Sequence, residues 1–518
     1  MSKKLVDAEA RRKIDEELDK TFFVEAGAGS GKTKSLVDRM IALLKAGKCQ
    51  ISQVAAVTFT RKAAAELRGR FQIELERALG NEEVKPPERE RLAAALQNLE
   101  QCYIGTIHSF CAKLLRERPV EIGLDPEFTE MEELEDDVFK EQCWLEYLVK
   151  VRLEEADVLR HLDEVGLSPE DLKGAFEAVT LYPEVELVGG RPDIPDYERF
   201  RASLESFLAE ARQAVPREKP EKGYDGLQRL MRRLFNRQQN LKLKDHRLLM
   251  ETFEIMDKDP GVTLNRWPTW EEAKDFKARF DEFREEVVKP ALKAWRECRH
   301  DRIVRFLKPA LAFYEARRKE ENRLNFEDLL LLAARLLRDN PEVRQYFSRK
   351  FTHVLVDEFQ DTDPIQAEVL LYLKGTDDKE KDWQKLRPAP GSLFLVGDPK
   401  QSIFRFRRAD IDTYNLVKRM IEDGGGEVLR LTKNFRALRV LNEWNNPLWE
   451  SELPAESNQY QAAFAPLETA REDAEVKEKE TEKEKEEEER EKKEERRLTG
   501  VYKIVVPEVP RDKGEDIA

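Results

Sequence analysis

The sequence predicts an α/β protein in which a parallel sheet is interrupted by a large all-helical insertion. In the first ~120 residues, short apolar runs alternate with helical patterns, and this βαβα alternation is typical of a parallel, doubly wound sheet. From about 125 to 325, long charged stretches carry apolar residues at helical spacing instead. Strand-like runs then return after residue 350, so we expect two separated parts of the chain to share one sheet.

Composition indicates a soluble, helix-rich protein and excludes several classes. Of 518 residues, 38% are charged and 40% hydrophobic, and no apolar run is long enough to predict a membrane span. The charged start of the chain argues against a secretory signal. Five cysteines without a CxxC pair suit a reduced, cytoplasmic protein. Because the net charge is −14, any DNA-binding surface has to be a local patch.

Each expected element is a short apolar run or an amphipathic stretch. The expected strands are Thr21–Val24, Val54–Phe59, His353–Val356, Leu393–Val396 and Val428–Leu431. The expected helices include Lys32–Leu44, Arg61–Leu79 and, in the insertion, Phe139–Leu148 and Ile303–Leu311.

A highly charged segment follows these elements. Residues 471–497 contain 14 acidic and 10 basic residues out of 27, too polar to build a core. They predict either a solvent-bathed single helix held by Glu–Lys pairs or a disordered linker. One further strand-like run, Val501–Val506, comes after them.

A phosphate-binding loop is predicted by residues 22–33, FFVEAGAGSGKT. Small residues let backbone N–H groups curl around a phosphate, and the following helix adds its positive N-terminal dipole. Lys32 would reach the β- and γ-phosphate oxygens, and the Thr33 hydroxyl would hold Mg²⁺. The strict pattern begins with Gly where this chain has Ala26, which is acceptable if that residue is not left-handed. The predicted nucleotide-binding residues of the loop are Ala26, Gly27, Ala28, Gly29, Ser30, Gly31, Lys32 and Thr33.

An acidic pair ends a second predicted strand. The run 351–356 is followed by Asp357 and Glu358, at the edge where ligands bind in open α/β sheets. Asp357 would complete the Mg²⁺ shell together with Thr33, and Glu358 would polarise the attacking water. The phosphate loop and the acidic pair together predict a P-loop NTPase.

Several ordered motifs resemble one family, the UvrD/Rep-type superfamily-one DNA helicases, most closely the branch that contains AddA and RecB. The resemblance rests on AGAGSGKT and on DEFQD at Asp357–Asp361, and it covers about 20–135 and 320–446. The other motifs are AVTFTRKAAAELRGR at Ala56–Arg70, TIHSF at Thr106–Phe110, LNFEDLL at Leu324–Leu330, GDPKQSIFRFRRAD at Gly397–Asp410 and NFR at Asn434–Arg436.

The resemblance implies roles for residues outside the phosphate loop. Gln401 would contact the γ-phosphate, Arg436 would act as an arginine finger, and Phe435 resembles the aromatic that stacks on adenine. The positions that match single-stranded DNA contacts are Phe59, Thr60, His108, Phe404, Phe406 and Arg407. For Phe404 and Phe406 the alternative is core packing, and for His108 it is a structural histidine.

The sequence departs from the family pattern in three ways. No Gln precedes Gln50, so the glutamine that reads adenine in relatives has no counterpart. Arg408 replaces a usual Gly and is expected to add charge beside the DNA-binding positions. After Arg436, neither the later motifs of the second motor domain nor the nuclease domain of AddA and RecB is found. The chain therefore resembles an N-terminal portion of an AddA-like helicase, whether fragment, truncated product or split subunit.

The resemblance implies a RecA-like fold, a 3′-to-5′ helicase or translocase that uses ATP and Mg²⁺, and a substrate of single-stranded DNA or tailed duplex ends. It also implies a possible AddB- or RecC-type partner and no membrane. The alternative is a half-motor that binds ATP and DNA but needs a partner to unwind. The expected domains are a first motor domain at 1–124 and 326–424, a helical insertion at 125–325, the start of a second motor domain at 425–470, a charged segment at 471–497 and a truncated second-domain segment at 498–518.

Overall fold

The computed structural model describes residues 7–190, 194–218, 220–240, 245–455, 464, 466 and 468–471. The chain divides into two compact units, one formed by Met1–Glu127 with Asp328–Ala518 and the other by Phe128–Glu327. Apart from Arg471, the charged segment 471–497 and the run Val501–Val506 lie outside the described residues. Within the described residues, no helix is both long and apolar enough to cross a membrane.

The strands and helices are as follows. The strands are β1 (Phe22–Ala26), β2 (Val54–Thr58), β3 (Tyr103–Thr106), β4 (Thr129–Glu130), β5 (Arg323–Leu324), β6 (His353–Val356), β7 (Leu393–Gly397), β8 (Glu427–Leu431), β9 (Lys433–Leu438) and β10 (Glu468–Arg471). The helices are α1 (Ala8–Glu16), α2 (Lys32–Ala46), α3 (Arg61–Gly80), α4 (Pro86–Gln97), α5 (Ile107–Glu117), α6 (Glu133–Glu154), α7 (Ala156–Glu164), α8 (Pro169–Thr180), α9 (Tyr197–Ala214), α10 (Gly226–Asn240), α11 (His246–Asp257), α12 (Trp270–Phe283), α13 (Lys289–Glu320), α14 (Phe326–Asp339), α15 (Pro341–Lys350), α16 (Pro364–Lys374), α17 (Ile411–Asp423) and α18 (Arg439–Glu452).

The first unit is built on a six-stranded parallel sheet with the order β3-β2-β6-β7-β1-β8. All residues of β2 and β7 are buried, as expected for parallel strands covered by helices on both faces. Because β6 and β7 come from the chain after residue 328 and β2 from the chain before it, two separated parts of the sequence share one sheet. The predicted fold class is confirmed.

Two strands depart from the sequence-based expectations. The sequence YIGT of β3 has too few apolar residues to stand out as a buried strand, and it was missed. The assignment of 425–470 to a second domain is wrong for β8, because β8 pairs in parallel with β1 and forms the edge of the first sheet. The rest of that domain assignment stays a prediction.

A buried arginine fixes the start of the first sheet. Arg39 on α2 is 1% exposed, and its guanidinium donates to four backbone carbonyls just before β1. The acceptor oxygens belong to Ile14, Glu17, Leu18 and Lys20, at 2.8–3.1 Å. Burial lowers the pKa of Arg39 to about 10. The side chain therefore ties α1 and the segment after it to the helix that follows the phosphate loop.

We expect Arg39→Met to lower the free energy of unfolding by about 2–4 kcal/mol, because several buried carbonyls lose their donor. Arg12→Met, on the exposed face of α1, is the control and should leave it nearly unchanged. Chemical denaturation of the two variants compares them directly. Equal stabilities would mean that the carbonyl contacts contribute nothing.

The second unit is helical apart from the two-residue strands β4 and β5, which pair in parallel. One core joins α6, α8 and α13, and a second joins helices from α9 to α13. A buried polar cluster lies beside the first core, where Asp136 accepts from Lys140 Nζ at 2.9 Å and from Asn325 Nδ2 at 3.3 Å. Because its charge is paired and hydrogen-bonded, Asp136 can be buried in an otherwise apolar region.

Candidate nucleotide-binding site

The loop between β1 and α2 has the geometry of a phosphate cradle. Gly29 and Gly31 have φ values of +75° and +90°, which favour glycine, and Gly31 caps the start of α2. Ser30 is fully buried and its Oγ donates to the Gly27 carbonyl at 2.7 Å, which tightens the turn. Ala26 ends β1 without a positive φ, so its methyl group causes no backbone strain.

Gly29 is also a point of close approach to the NFR segment. A Cβ built on Gly29 would lie 2.6 Å from Asn434 Oδ1 and 2.8 Å from Arg436 Cβ. The Gly29 carbonyl accepts from the Phe435 N–H at 2.8 Å. The structure therefore brings the predicted arginine finger and adenine-stacking residue next to the phosphate loop.

We expect Gly29→Ala to weaken nucleotide binding at least tenfold, because the left-handed φ and the two close contacts force the loop or the NFR segment to move. Titration with a fluorescent ATP analogue measures this. The control is Gly69→Ala on α3, where a Cβ would meet nothing within 4 Å. Unchanged affinity for Gly29→Ala would show that the loop does not bind the nucleotide in this conformation.

The acidic pair meets the loop at the carboxyl edge of the sheet. Lys32 Nζ donates to Glu358 Oε2 at 2.6 Å, and the Thr33 hydroxyl donates to Asp357 Oδ2 at 3.3 Å. The Lys32 side chain is only 10% exposed, so solvent screens this ion pair weakly. The four side chains thus come together although more than 300 residues separate the two segments.

Burial changes the protonation of two carboxyl groups here. It raises the pKa of Asp357 to about 6, and the nearby Glu358 charge adds to the effect. For the same two reasons the pKa of Asp361 is raised to about 6. Glu358 itself has φ +55°, a left-handed conformation that is uncommon for a residue with a side chain. Such backbone strain concentrates at functional sites.

Thr33 and Asp357 fit a Mg²⁺ ion that is shared with a nucleotide. Both offer hard oxygen ligands, and Mg²⁺ is usually held by one or two such groups together with substrate phosphates and water. Among the described residues, no cluster of three or more His, Cys, Asp or Glu side chains could hold a metal. The donor set therefore suits a metal that arrives with phosphates rather than one held by the protein alone.

Two further residues complete the surroundings of the loop. Gln401 follows β7, and its Nε2 donates to Asp398 Oδ2 at 2.7 Å. Arg11 on α1 was missed by the sequence analysis, since nothing in its local pattern marks it. Its Nη2 donates to the Ser30 carbonyl at 2.8 Å, and its guanidinium lies 5.2 Å from the centre of the Phe435 ring.

The predicted DNA-contacting aromatics form one cluster, here called the aromatic strip, made of Phe59, Phe404 and Phe406. The Phe59 and Phe404 ring centres lie 5.2 Å apart, and those of Phe404 and Phe406 lie 5.8 Å apart. Phe406 is 75% exposed and Phe404 is half-buried. Core packing is therefore excluded for Phe406, whereas Phe404 both packs and borders solvent.

The remaining DNA-contact candidates differ in exposure. Thr60 is exposed and caps α3, accepting from the Ala63 N–H at 3.1 Å. Arg407 is exposed in the short turn that carries Phe406. Burial lowers the pKa of His108 to about 4, which keeps its imidazole neutral at pH 7. His108 therefore offers a ring and a hydrogen bond rather than a positive charge.

Arg408 does not add charge beside the aromatic strip, contrary to the sequence-based expectation. Its side chain is 10% exposed, and its Nε lies 3.9 Å from Asp363 Oδ2. Its φ of +68° explains why glycine suits this position. The charge points inward, to the residue that caps α16.

Comparison with known families agrees with the motifs. Residues 6–422 match the UvrD/REP helicase N-terminal domain. The chain belongs to this family. The match covers both parts of the first unit and the whole second unit, and it confirms the resemblance that the motifs indicated.

Three relatives of this UvrD-type chain are named as AddA-type subunits of an ATP-dependent helicase/nuclease. The protein of Anoxybacillus flavithermus is 29% identical over 483 residues, and that of Geobacillus thermodenitrificans is 28% identical over 496 residues. The protein of Pediococcus pentosaceus is 25% identical over 482 residues. The matches cover 82–84% of this chain and 38% of each relative. The likeness to the AddA-type branch is confirmed, and the chain spans about two fifths of the length of these relatives.

Proposed function

We propose that this UvrD-type chain binds and hydrolyses ATP with Mg²⁺ and uses the cycle to move along single-stranded DNA with 3′-to-5′ polarity. The observation that carries the proposal is the pairing of Lys32 with Glu358 and of Thr33 with Asp357 at one edge of the sheet. A phosphate cradle that faces two carboxylates is the arrangement that phosphoryl transfer to water requires.

The residues of the site divide the chemistry. Without nucleotide, Lys32 neutralises Glu358; with ATP, Lys32 turns to the phosphates and frees Glu358 to orient the attacking water and accept its proton. Thr33 and Asp357 would hold Mg²⁺, which neutralises phosphate charge when bound. Gln401 would sense the γ-phosphate. Arg436, next to Gly29, would stabilise the charge of the transferring group.

Two aromatic features would contact the ligands. Phe435 is 47% exposed beside the phosphate loop and would stack on the adenine ring. The aromatic strip would stack on DNA bases, at about 1–3 kcal/mol per base. Thr60, His108 and Arg407 would add contacts to the strand. Because stacking reads any base, this surface suits movement along DNA without sequence preference.

The wider setting is part of the same proposal. The relatives are named as subunits of a helicase/nuclease. We therefore propose action in DNA recombination or repair in the cytoplasm, on single-stranded DNA or tailed duplex ends, with a partner of AddB or RecC type. The second candidate is a half-motor that binds ATP and DNA but needs a partner to unwind; the observation that favours it is the 38% coverage of the relatives.

Strand displacement tests the polarity. Duplexes with a 3′ or a 5′ single-stranded tail are incubated with the chain, Mg²⁺ and ATP, and strand release is followed by fluorescence. We expect release of the 3′-tailed substrate only. Binding of ATP and DNA without release would favour the half-motor, and release of only the 5′-tailed substrate would contradict the proposed polarity. Failure to bind either ligand would contradict both candidates.

The raised pKa of Asp357 predicts a pH dependence of Mg²⁺–nucleotide binding. Since the folded pKa of about 6 exceeds the ordinary 3.8, the ligand-free fold binds this proton more tightly than the unfolded chain does. Its free energy of unfolding should therefore fall as pH rises from about 4 to 6. Metal binding needs the ionised carboxylate, so affinity should drop about tenfold per pH unit below 6 and level off above it. Titrations between pH 5 and 8 measure this, and a flat profile would contradict it.

A further inference from the structure

The side chain of Gln360, the fourth residue of DEFQD, connects the acidic pair to the segment that carries the aromatic strip. Gln360 is 2% exposed. Its Nε2 donates to Glu358 Oε2 at 2.8 Å, and its Oε1 accepts from the Asp398 N–H at 2.8 Å. One buried amide therefore holds the proposed base and the end of β7 at the same time.

The polarity of these bonds leaves a single orientation for the amide. A carboxylate can only accept and a backbone N–H can only donate, so Nε2 has to face Glu358 and Oε1 has to face Asp398. Glutamate lacks the donor at this position, and a hydrocarbon side chain lacks both groups. Glutamine thus satisfies both partners with the bond lengths observed.

The contacts continue from Gln360 toward the aromatic strip. Ser402 Oγ donates to the Gln360 carbonyl at 3.1 Å. The Asp398 carboxylate accepts from Gln401 Nε2 at 2.7 Å. Phe404, which packs on Phe59, lies two residues after Ser402. A continuous path of hydrogen bonds and short backbone therefore joins Glu358 to the strip.

The backbone leaves Gln360 no room to move independently. A Cβ built on Gly397 would lie 2.9 Å from Gln360 Oε1. Because Gly397 and Gln360 are in such close contact, a shift of the 398–404 segment has to move the amide with it. The amide in turn holds the Glu358 carboxylate, which pairs with Lys32.

We propose that Gln360 is the positioning residue through which occupancy of the aromatic strip by single-stranded DNA changes the placement of Glu358, and hence the affinity for Mg²⁺–nucleotide. This rests on the proposed function, in which the strip binds DNA and Glu358 faces the nucleotide. Thermodynamic linkage requires the effect to be reciprocal, so bound nucleotide changes DNA affinity by the same factor. The coupling can therefore be measured by binding alone, without turnover.

The test compares the dissociation constant of a fluorescent oligothymidine with and without saturating Mg²⁺ and a non-hydrolysable ATP analogue, using the full chain. We expect a change of at least about fivefold for the unaltered protein. In Gln360→Glu, which keeps the bond to Asp398 but places a carboxylate against Glu358, the factor should fall to within twofold of one. The separate affinities for DNA and for the analogue should stay within about threefold.

Two further variants control for folding. Gln72→Glu makes the same change at an exposed glutamine that also donates to a carboxylate, that of Glu76. It should keep the full factor. Ser402→Ala removes one bond of the path without adding charge and should at least halve the factor. Thermal unfolding of each variant verifies that the fold is intact.

The outcomes separate the two proposals. Failure of the unaltered chain to bind DNA or the analogue would overturn the proposed function. Binding of both with a factor of one in the unaltered chain would overturn the coupling but leave the proposed site in place. A full factor in both Gln360→Glu and Ser402→Ala would overturn the role of Gln360, and loss of the factor in Gln360→Glu but not in Gln72→Glu supports it.

Discussion

Lys32→Ala is expected to abolish ATP turnover, with a loss of at least about a hundredfold. Lys32 supplies the positive charge that pairs with Glu358, at 2.6 Å. Its removal takes away the donor for the phosphates and leaves Glu358 without this counter-charge at a largely buried position. Nucleotide affinity should fall together with turnover, because Lys32 would contact the phosphates in the ground state as well.

The matched control for this variant is Lys34→Ala. Lys34 lies on the same helix, two residues on, pairs with Asp38 and is 66% exposed. It should hydrolyse ATP as the unaltered chain does. Loss of activity in both variants would point to a defect of α2 rather than of the phosphate site. Full activity in Lys32→Ala would contradict the assignment of the loop.

Glu358→Gln is expected to lower turnover by about a hundredfold to ten-thousandfold while nucleotide binding is kept or strengthened. The amide keeps the size of the carboxylate but accepts no proton from water. It also frees Lys32 from its ion pair, so less energy is needed to turn Lys32 toward the phosphates. Turnover and affinity should therefore change in opposite directions, unlike in Lys32→Ala.

Glu427→Gln is the control for this second variant. Glu427 pairs with Lys13 and Lys20, each at 2.6 Å, at the amino-terminal end of β8 and therefore at the other edge of the sheet. The substitution removes ion pairs of the same length without touching the site. Single-turnover hydrolysis and analogue titration measure both variants. Normal turnover in Glu358→Gln would exclude Glu358 as the base.

Much of the first unit follows from its sequence because its strands are uninterrupted apolar runs. The run His353–Val356 coincides with β6, and Asp357 and Glu358 follow directly, so the meeting of the loop and the acidic pair at one edge could be expected. The roles of these residues remain proposals. What is settled is the geometry that brings them together.

Other features depend on contacts that local patterns do not contain. The inward direction of Arg408 comes from Asp363, 45 residues earlier in the sequence. The contact of Arg11 with the phosphate loop depends on how α1 packs. The bridging role of Gln360 depends on the distance between β6 and β7. In each case the partner is distant in the sequence, and only the folded arrangement identifies it.

The central claim is that the edge of the sheet at Lys32 and Glu358 hydrolyses ATP in response to DNA. Steady-state ATP hydrolysis by the chain, with and without single-stranded DNA, tests it most directly. We expect turnover that single-stranded DNA stimulates and that Lys32→Ala abolishes. Turnover that is unaffected by DNA, or that persists in Lys32→Ala, would contradict the claim.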